Sequence, residues 1–375
     1  MKIDEFLLGT KLTGELVEAA IGEAFPALGP VRLEDIKADQ IAVGKGFVTK
    51  IIRLELKWSE GTAESLPRSI VAKVPYEEGL EKLFGRFSED KRLELIRFLP
   101  QLHNQEVRVF QFFRQHPPPF PTPKVYKAVE MNEDGFGYIL MEDLSEGTTS
   151  LGWADKLNLA QAEAVVDAIG GFHAFGFHHP QLMKELAQPK TFKEIIASEQ
   201  KADGFGELVL MNPAYFAGKE DKVPPADYAA WKAANARVEA ELGLPQVLCH
   251  GDIHVNNILF SKQDTDRLIA LIDWQMVNVD WALGDLMRVM TNLSTGDRRA
   301  NRDHLLARYH QKLQPWAPPQ ITLEKLKAGF DIVWPVQVAV IANVVAHGLK
   351  SPAFQDKPDM VNSVQAMVRD MIEEI

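Results

Sequence analysis

The 375-residue sequence predicts an α+β fold in which a small, sheet-rich N-terminal lobe precedes a large, mainly helical C-terminal lobe. Short strand-like runs, some of them with period-two alternation, cluster between residues 39 and 144. From about residue 151 onward, most of the chain has the pattern of helices. The polar segment SEGTTS follows Leu144, so we expect lobes of residues 1–145 and 146–375.

In the N-terminal lobe, the first helix is expected over residues 1–28, because Gly29-Pro30 ends its pattern. In DQIAVGKGFVTKIIRLELKW (39–58), the pattern indicates two strands joined by a glycine turn, and SIVAKVP supplies a third strand. A helix over residues 88–116 is expected to break or kink near Pro100. Two more strands, KVYKAVEM and FGYILMEDL, flank the turn NEDG.

The C-terminal lobe is expected to be helical except for one hairpin. This exception is VLCHGDIHVNNILFSKQDTDRLIALID, which contains two apolar strands, ILF and RLIALI, and a polar turn. The predicted helices span residues 158–176, 191–212, 225–243, 281–294, 299–314, 322–348 and 359–374.

Composition excludes several classes of protein. The formal net charge of −11 argues against a nucleic-acid-binding surface, which would be basic. The single cysteine, Cys249, cannot form an intramolecular disulfide and lies in an apolar run, so we expect an inert buried thiol. The N-terminus lacks the pattern of a signal peptide, and no apolar run is long enough to cross a membrane. We therefore expect a cytoplasmic enzyme or small-molecule-binding protein.

The hairpin places three oxygen-bearing side chains near its strand ends. Asp252 and Asn257 lie in the loop HGDIHVNN, and Asp273 ends the strand RLIALID. Two carboxylates and an amide oxygen suit Mg²⁺, which is usually bound together with substrate phosphates. The spacing H-x-D-x-x-x-x-N, met by His250, Asp252 and Asn257, is that of the kinase catalytic loop. The alternative is that these polar residues only cap turns.

A lysine and a glutamate lie on otherwise apolar elements upstream. Lys73 is flanked by apolar residues in SIVAKVP, and Glu106 shares a helical stripe with four apolar residues. Each buried charge would need a partner of opposite sign, so we expect Lys73 to pair with Glu106. The alternatives are that Lys73 lies on the wet face of an edge strand, or that Glu106 forms a surface pair with Arg114 or His103.

Two further segments stand where a nucleotide could be bound. The turn VGKGFV places Gly44 and Gly46 between two strands, where backbone N–H groups can approach a phosphate, although an ordinary hairpin turn explains G-x-G equally well. By position alone, adenine would meet the backbone near the segment Met141-Glu142-Asp143-Leu144 at the end of FGYILMEDL.

Taken in order, these motifs resemble the aminoglycoside phosphotransferase and choline kinase superfamily. Within it, the chain is most similar to the ecdysteroid-kinase-like, or CHK-kinase-like, branch. The segments that carry the resemblance are GKGFVTKI, LHNQEVRVF, GYILMEDL, LCHGDIHVNNILF and LIDWQ, which lie between about residues 40 and 290.

The resemblance implies a bilobal protein-kinase-like fold and ATP·Mg²⁺-dependent phosphorylation of a small-molecule hydroxyl. Asp252 would be the catalytic base, and Asn257 and Asp273 would be metal ligands. Lys73 would contact the α/β-phosphates and Glu106 would orient it. Asp285, in WALGDLMRVM, matches a family aspartate that supports the catalytic loop.

The sequence departs from the family pattern at His254, where tryptophan is common in the branch; this residue could face the acceptor. The acceptor could be a steroid or xenobiotic alcohol, a choline-like amino alcohol or an aminoglycoside. One alternative is a catalytically silent protein that binds a nucleotide or a lipophile. Protein-kinase activity is disfavoured, because no long activation segment and no APE motif follow Asp273. His173 is expected to be a buried, hydrogen-bonded residue rather than a metal ligand.

Overall fold

The computed structural model describes residues 5–41, 49–59, 64–75, 88–152, 155–187, 208, 216–218, 226–314, 316–349 and 358–373. The chain forms two compact units. The first comprises Met1–Pro117 and Pro123–Gly147, and the second comprises Pro118–Thr122 and Thr148–Ile375. Gly44, Gly46 and nearly all of the helix predicted over 191–212 lie outside the described residues.

The first unit is built on a five-stranded antiparallel sheet with strand order β1-β2-β3-β5-β4. The strands are β1 (Leu33–Ile41), β2 (Thr49–Trp58), β3 (Ser69–Pro75), β4 (Val125–Val129) and β5 (Tyr138–Glu142). Two long helices accompany them, α1 (Gly14–Ala24) and α2 (Glu89–Gln115). The α+β fold class predicted from the sequence is present in this unit.

Alternating burial in β2 explains why this strand was predictable. Ile52, Leu54, Leu56 and Trp58 are buried in one hydrophobic core together with the apolar face of α1, whereas the intervening side chains are more exposed. Strand β1 begins at Leu33, earlier than predicted. Its pattern is weak because only Leu33 and Ile36 of its residues are buried and the register shifts near its start.

Helix α2 continues through Pro100, so the predicted break at this proline is wrong. The helix is long, and its buried face carries many apolar side chains of both halves, including Leu95, Leu99, Val109 and Phe113. Tertiary packing of this face can offset the roughly 3 kcal/mol that a proline costs within a helix.

The second unit is mainly helical and contains two small antiparallel sheets. Its described helices are α3 (Leu159–His178), α4 (Pro180–Leu186), α5 (Tyr228–Leu242), α6 (Ala282–Thr291), α7 (Thr295–Leu313), α8 (Leu323–Leu349) and α9 (Pro358–Ile372). The strands are β6 (Thr148–Thr149), β7 (Gln246–Cys249), β8 (Ile258–Ser261), β9 (Leu268–Leu271) and β10 (Asn278–Trp281). No described helix has the length and apolar character that crossing a bilayer requires.

The predicted hairpin is present as β8 and β9, which pair antiparallel with Ile258 opposite Leu271. Strands β7 and β10, which precede and follow it, were not predicted. They pair antiparallel, with Cys249 opposite Asn278, and so hold both flanks of the hairpin segment together. These two strands are defined by their pairing with each other across the hairpin.

The hairpin is anchored to the helical core by Trp274, which is fully buried. Its indole ring lies 4.8 Å from the ring of Phe172 and 5.8 Å from that of Phe120, measured between centroids. Its Nε1–H donates to the carbonyl oxygen of Leu271 at 3.0 Å. Trp274 therefore packs in the core of this unit rather than lining a pocket.

We expect Trp274→Ala to lower the free energy of unfolding by about 3–5 kcal/mol, because it leaves a large cavity and removes several ring contacts. Trp316→Ala is the matched control: this indole is 53% exposed, and its loss should cost within about 0.5 kcal/mol. Urea denaturation measures both. Equal, small losses for the two variants would contradict this account of the core.

Candidate functional site

Lys73 and Glu106 form a buried ion pair in the first unit, with Lys73 Nζ 2.6 Å from Glu106 Oε2. The two residues are only 5% and 1% exposed. Lys73 lies on β3 between β2 and β5, opposite Ile51 and Ile139. The structure thus brings the two charges together as predicted, and the alternative of a wet edge strand for Lys73 is wrong. Removing either partner would leave an uncompensated buried charge.

His103 lies one helical turn before Glu106 and is also buried. Its Nε2 is 2.9 Å from the carbonyl oxygen of Val129, so this nitrogen carries the proton and donates. The pKa of His103 is lowered to about 4, mainly by burial and also by the charge of Lys73, against the opposing effects of the Val129 carbonyl and the charge of Glu130. His103 is therefore neutral near pH 7 and adds no second cation beside Lys73.

The segment from Met141 to Leu144 follows the sheet at the end of β5. The Asp143 carboxylate accepts hydrogen bonds from Arg53 Nε at 2.7 Å and from Ser69 Oγ at 2.5 Å. Burial raises the pKa of Asp143, but hydrogen bonds from Ser145 and Ser69 and the charge of Arg53 outweigh this and hold it below its usual value.

Glu142 is tied down as well, since its Oε1 accepts from the backbone N–H of Lys124. These two carboxylates therefore fix the segment to the sheet. A nucleotide contact here would be made by the backbone, which includes that of Met141 and Leu144. The side-chain role of Asp143 was not foreseen, because its partners lie 74 and 90 residues away in the sequence.

In the second unit, the loop that carries Asp252 is held by the buried carboxylate of Asp285 on α6. Asp285 Oδ2 accepts from the backbone N–H of His250 at 2.6 Å, and Oδ1 accepts from that of Gly251 at 2.9 Å. The support for the loop that the family resemblance implied is thus present. Both oxygens of one carboxylate fix two consecutive peptide units.

Gly251 is required at its position by conformation and by space. Its φ is +82°, in the region that favours glycine, and an added Cβ would lie 2.3 Å from the carbonyl oxygen of Met276. This close approach brings the loop against the segment that follows Asp273. The two parts of the hairpin that carry polar residues therefore have a fixed spacing.

His250 stabilises the same loop through its ring. Nε2 lies 3.1 Å from the carbonyl oxygen of Ile272, and Nδ1 accepts from the backbone N–H of Asp252 at 3.3 Å. Burial lowers the pKa of His250, which keeps the imidazole neutral and matches one donor to one acceptor. His250 thus orients the loop instead of acting as a base.

Asp252, Asn257 and Asp273 lie at one end of the hairpin. Asn257 Nδ2 donates to the backbone oxygen of Asp252 at 3.0 Å and approaches its Oδ2 at 3.4 Å. The backbone N–H of Ile272 donates to the Asn257 carbonyl at 3.0 Å, which places Asp273 beside Asn257. Asp273 has the left-handed conformation, with φ 69° and ψ 64°, a strained geometry that is common at functional sites.

Two residues that support Asp285 carry no motif in the sequence. His173 Nε2 lies 3.3 Å from Asp285 Oδ2, and the Tyr309 hydroxyl lies 2.7 Å from His173 Nδ1. Potential ligand atoms of His173, Cys249 and Asp285 lie within 4.8 Å of one another. Both ring nitrogens and both carboxylate oxygens are already hydrogen-bonded, so the group forms a structural network, as expected for His173.

The buried pair in the first unit gives a testable prediction for stability. Lys73→Met and Glu106→Leu should each lower the free energy of unfolding by about 3–5 kcal/mol, whereas the double variant Lys73→Met/Glu106→Leu should lose less than the sum of these two losses. The exposed pair Arg237–Glu241, 2.7 Å apart, is the control. Arg237→Met should leave the stability nearly unchanged, because water screens an exposed pair. Additive losses at 73 and 106 in urea denaturation would contradict the pairing.

His103 should make stability depend on pH. Its folded-state pKa of about 4 lies below the ordinary 6.5, so the unfolded chain binds the extra proton first. The stabilisation is complete above pH 6.5 and is lost as the pH falls to 4, by up to about 3 kcal/mol. His103→Gln should have a flatter pH profile than the wild type in this window. Parallel profiles, or an NMR titration of His103 near pH 6.5, would refute the assignment.

A profile of the DUF1679 family, whose description is "Uncharacterized oxidoreductase dhs-27", matches residues 4–375. The "Uncharacterized kinase-like protein D1044.1" of Caenorhabditis elegans is 22% identical over 254 residues, which cover 67% of this chain and 66% of that protein. The "Uncharacterized oxidoreductase dhs-27" of the same organism is 24% identical over 331 residues, 84% of this chain. The chain spans only 39% of the length of that second relative.

Two solved structures have a similar fold over nearly the whole chain. A "putative aminoglycoside phosphotransferase" from Ralstonia eutropha has a TM-score of 0.50 and 13% identity, covering 95% of this chain and 97% of its own. A microcompartment-associated aminopropanol kinase has a TM-score of 0.51 and 10% identity, covering 94% and 95%. The protein-kinase-like α+β fold predicted by the resemblance is thereby confirmed. The fold is thus the one that the resemblance to the aminoglycoside phosphotransferase and choline kinase superfamily implied, and the chain belongs to the DUF1679 family.

Proposed function

We propose that the protein is a small-molecule O-kinase, which transfers the γ-phosphoryl group of ATP to a hydroxyl of its substrate. The observation that carries the proposal is the arrangement of Asp252, Asn257 and Asp273 at the end of the hairpin, on a loop held by Asp285. Turn capping alone does not require the side chains of Asp252 and Asn257 to lie beside a second carboxylate, that of Asp273, in strained backbone. The buried pair of Lys73 and Glu106 supports the same chemistry.

Asp252 is the base in this proposal. Its side chain is 29% exposed, which leaves it open to a substrate while its backbone is fixed by His250 and Asn257. The carboxylate would align the acceptor hydroxyl and take its proton as the oxygen attacks the γ-phosphorus. The bond from the γ-phosphorus to the bridging oxygen of ADP breaks in the same displacement.

The residues fit a hard divalent cation. Asn257 uses Nδ2 to donate to Asp252, so its Oδ1 is the amide atom suited to a cation, and Asp273 adds a carboxylate beside it. Oxygen ligands of this kind, one or two from the protein, are those that Mg²⁺ prefers. Magnesium held there would neutralise charge on the phosphates of ATP during transfer.

Lys73 would contact the α/β-phosphates, and Glu106 would hold its ammonium group in place. An ammonium group has three N–H donors, so a lysine that pairs with a helix carboxylate can also donate to a phosphate. We assign nucleotide contacts to Gly44 and Gly46 and to the backbone of residues 141–144 by the same family pattern.

For the phosphate acceptor, the family resemblance supports several chemical classes. Steroid-like and xenobiotic alcohols and amino alcohols are the classes that we propose, with aminoglycosides as a further class. The fold neighbours whose names state a substrate include an aminopropanol kinase. The oxidoreductase name of the second relative has no support in the described residues, whose strand pairs are antiparallel. A dinucleotide-binding unit would need parallel strands joined by a helix.

Asp252→Asn tests the proposal directly. With labelled ATP and a panel of hydroxylated metabolites, the wild type should phosphorylate at least one class, and the variant should lower kcat by about 10²- to 10⁴-fold with ATP binding retained. Asp264→Asn is the matched control, since Asp264 is an exposed aspartate in the turn of the same hairpin. Its turnover should equal that of the wild type.

Three results would count against the proposal or a part of it. ATP binding without transfer to any compound of the panel would favour the alternative of a catalytically silent binding protein. Full turnover in Asp252→Asn would remove Asp252 from the role of base. Phosphate appearing on protein in trans would instead favour protein-kinase activity.

A further inference from the structure

His254, two residues after Asp252, makes two contacts through its ring. Nδ1 accepts the backbone N–H of Asn256 at 3.3 Å, which caps the single helical turn Val255–Asn257. Nε2 lies 3.6 Å from Asp252 Oδ2. The His254 side chain is 23% exposed, so it is partly accessible to solvent.

The first contact fixes the protonation of the ring. A nitrogen that accepts a backbone N–H carries no proton of its own, so the proton of the neutral imidazole is on Nε2. This N–H group therefore stands on the side of the Asp252 carboxylate. The separation of 3.6 Å is just beyond a direct hydrogen bond, and contacts of this kind often shorten only when substrate is bound.

Two donors thus approach the same oxygen of Asp252. Asn257 Nδ2 lies 3.4 Å from Oδ2, and His254 Nε2 lies 3.6 Å from it. We propose that His254 is a positioning residue for Asp252: together with Asn257 it sets the rotamer in which the carboxylate meets the acceptor hydroxyl. This inference rests on the proposed kinase function and adds a residue to it.

Capping alone does not explain a histidine at this position. Asparagine, serine, aspartate and threonine are the preferred caps, and each of them is too short to reach the Asp252 carboxylate as well. The imidazole has two nitrogens on opposite sides of the ring, so one can cap the turn while the other faces the carboxylate. A misplacement of a reacting group by about 1 Å can cost about a hundredfold in rate.

His254→Asn separates the two roles, because the asparagine oxygen can still cap the turn but has no group near Asp252. We expect kcat for phosphoryl transfer to fall by about 10- to 100-fold, with the KM for ATP and the melting temperature unchanged. His304→Asn, on the exposed surface of α7, is the matched histidine control and should match the wild type. Wild-type kcat in His254→Asn would overturn the proposal and leave capping as the role of this residue.

NMR of protein labelled with ¹⁵N-histidine tests the geometry without requiring turnover. The signal that disappears in His254→Asn should show the Nε2–H tautomer, and its Nε2 shift should move in Asp252→Ala. The Nδ1–H tautomer, or no change in Asp252→Ala, would overturn the positioning role even in an active enzyme. Conversely, the expected NMR result in a protein that transfers no phosphate would support the contact and contradict only the kinase proposal.

Discussion

The arrangement of the hairpin depends on one buried carboxylate. Asp285 accepts the N–H groups of two consecutive residues, His250 and Gly251, and is itself held by His173 and Tyr309. These hydrogen bonds fix the peptide units directly before Asp252, where the positive φ of residue 251 requires glycine. A charged group taken out of water in this way is tolerated because each of its oxygens receives hydrogen bonds. The loop is thereby pre-organised before any ligand binds, which is the condition for catalysis by positioning.

In both units, buried charged side chains lie beside groups of opposite charge or beside hydrogen-bond donors. Lys73 and Glu106 are buried as an ion pair, and His103 beside them is neutral. Asp143 accepts hydrogen bonds from Arg53 and Ser69. The side chains of Lys73, Glu106 and Asp143 are thus buried beside groups of opposite charge. An arrangement of this kind costs stability relative to apolar packing, so its presence in both units indicates function more than folding.

The sequence revealed the residues whose chemistry conflicts with their surroundings. Lys73 and Glu106 stood out because each interrupts an apolar pattern, and Asp252, Asn257 and Asp273 because polar residues border apolar strands. The role of Tyr309 could not be recognised, since an aromatic residue in a helix is ordinary. Asp143 was placed in the nucleotide segment, but the contacts of its side chain could not be foreseen, because its partners Arg53 and Ser69 are distant in sequence. The strands β7 and β10 were missed for a related reason, because each is defined by its pairing with the other across the hairpin.

The central proposal is that the protein binds ATP together with Mg²⁺. Calorimetric titration of ATP, with and without Mg²⁺, tests this most directly. We expect the wild type to bind ATP more tightly with Mg²⁺, Asp273→Asn to lose this difference, and Lys73→Met to bind about tenfold or more weakly in both conditions. Wild-type affinities in both variants, with and without the metal, would contradict the account.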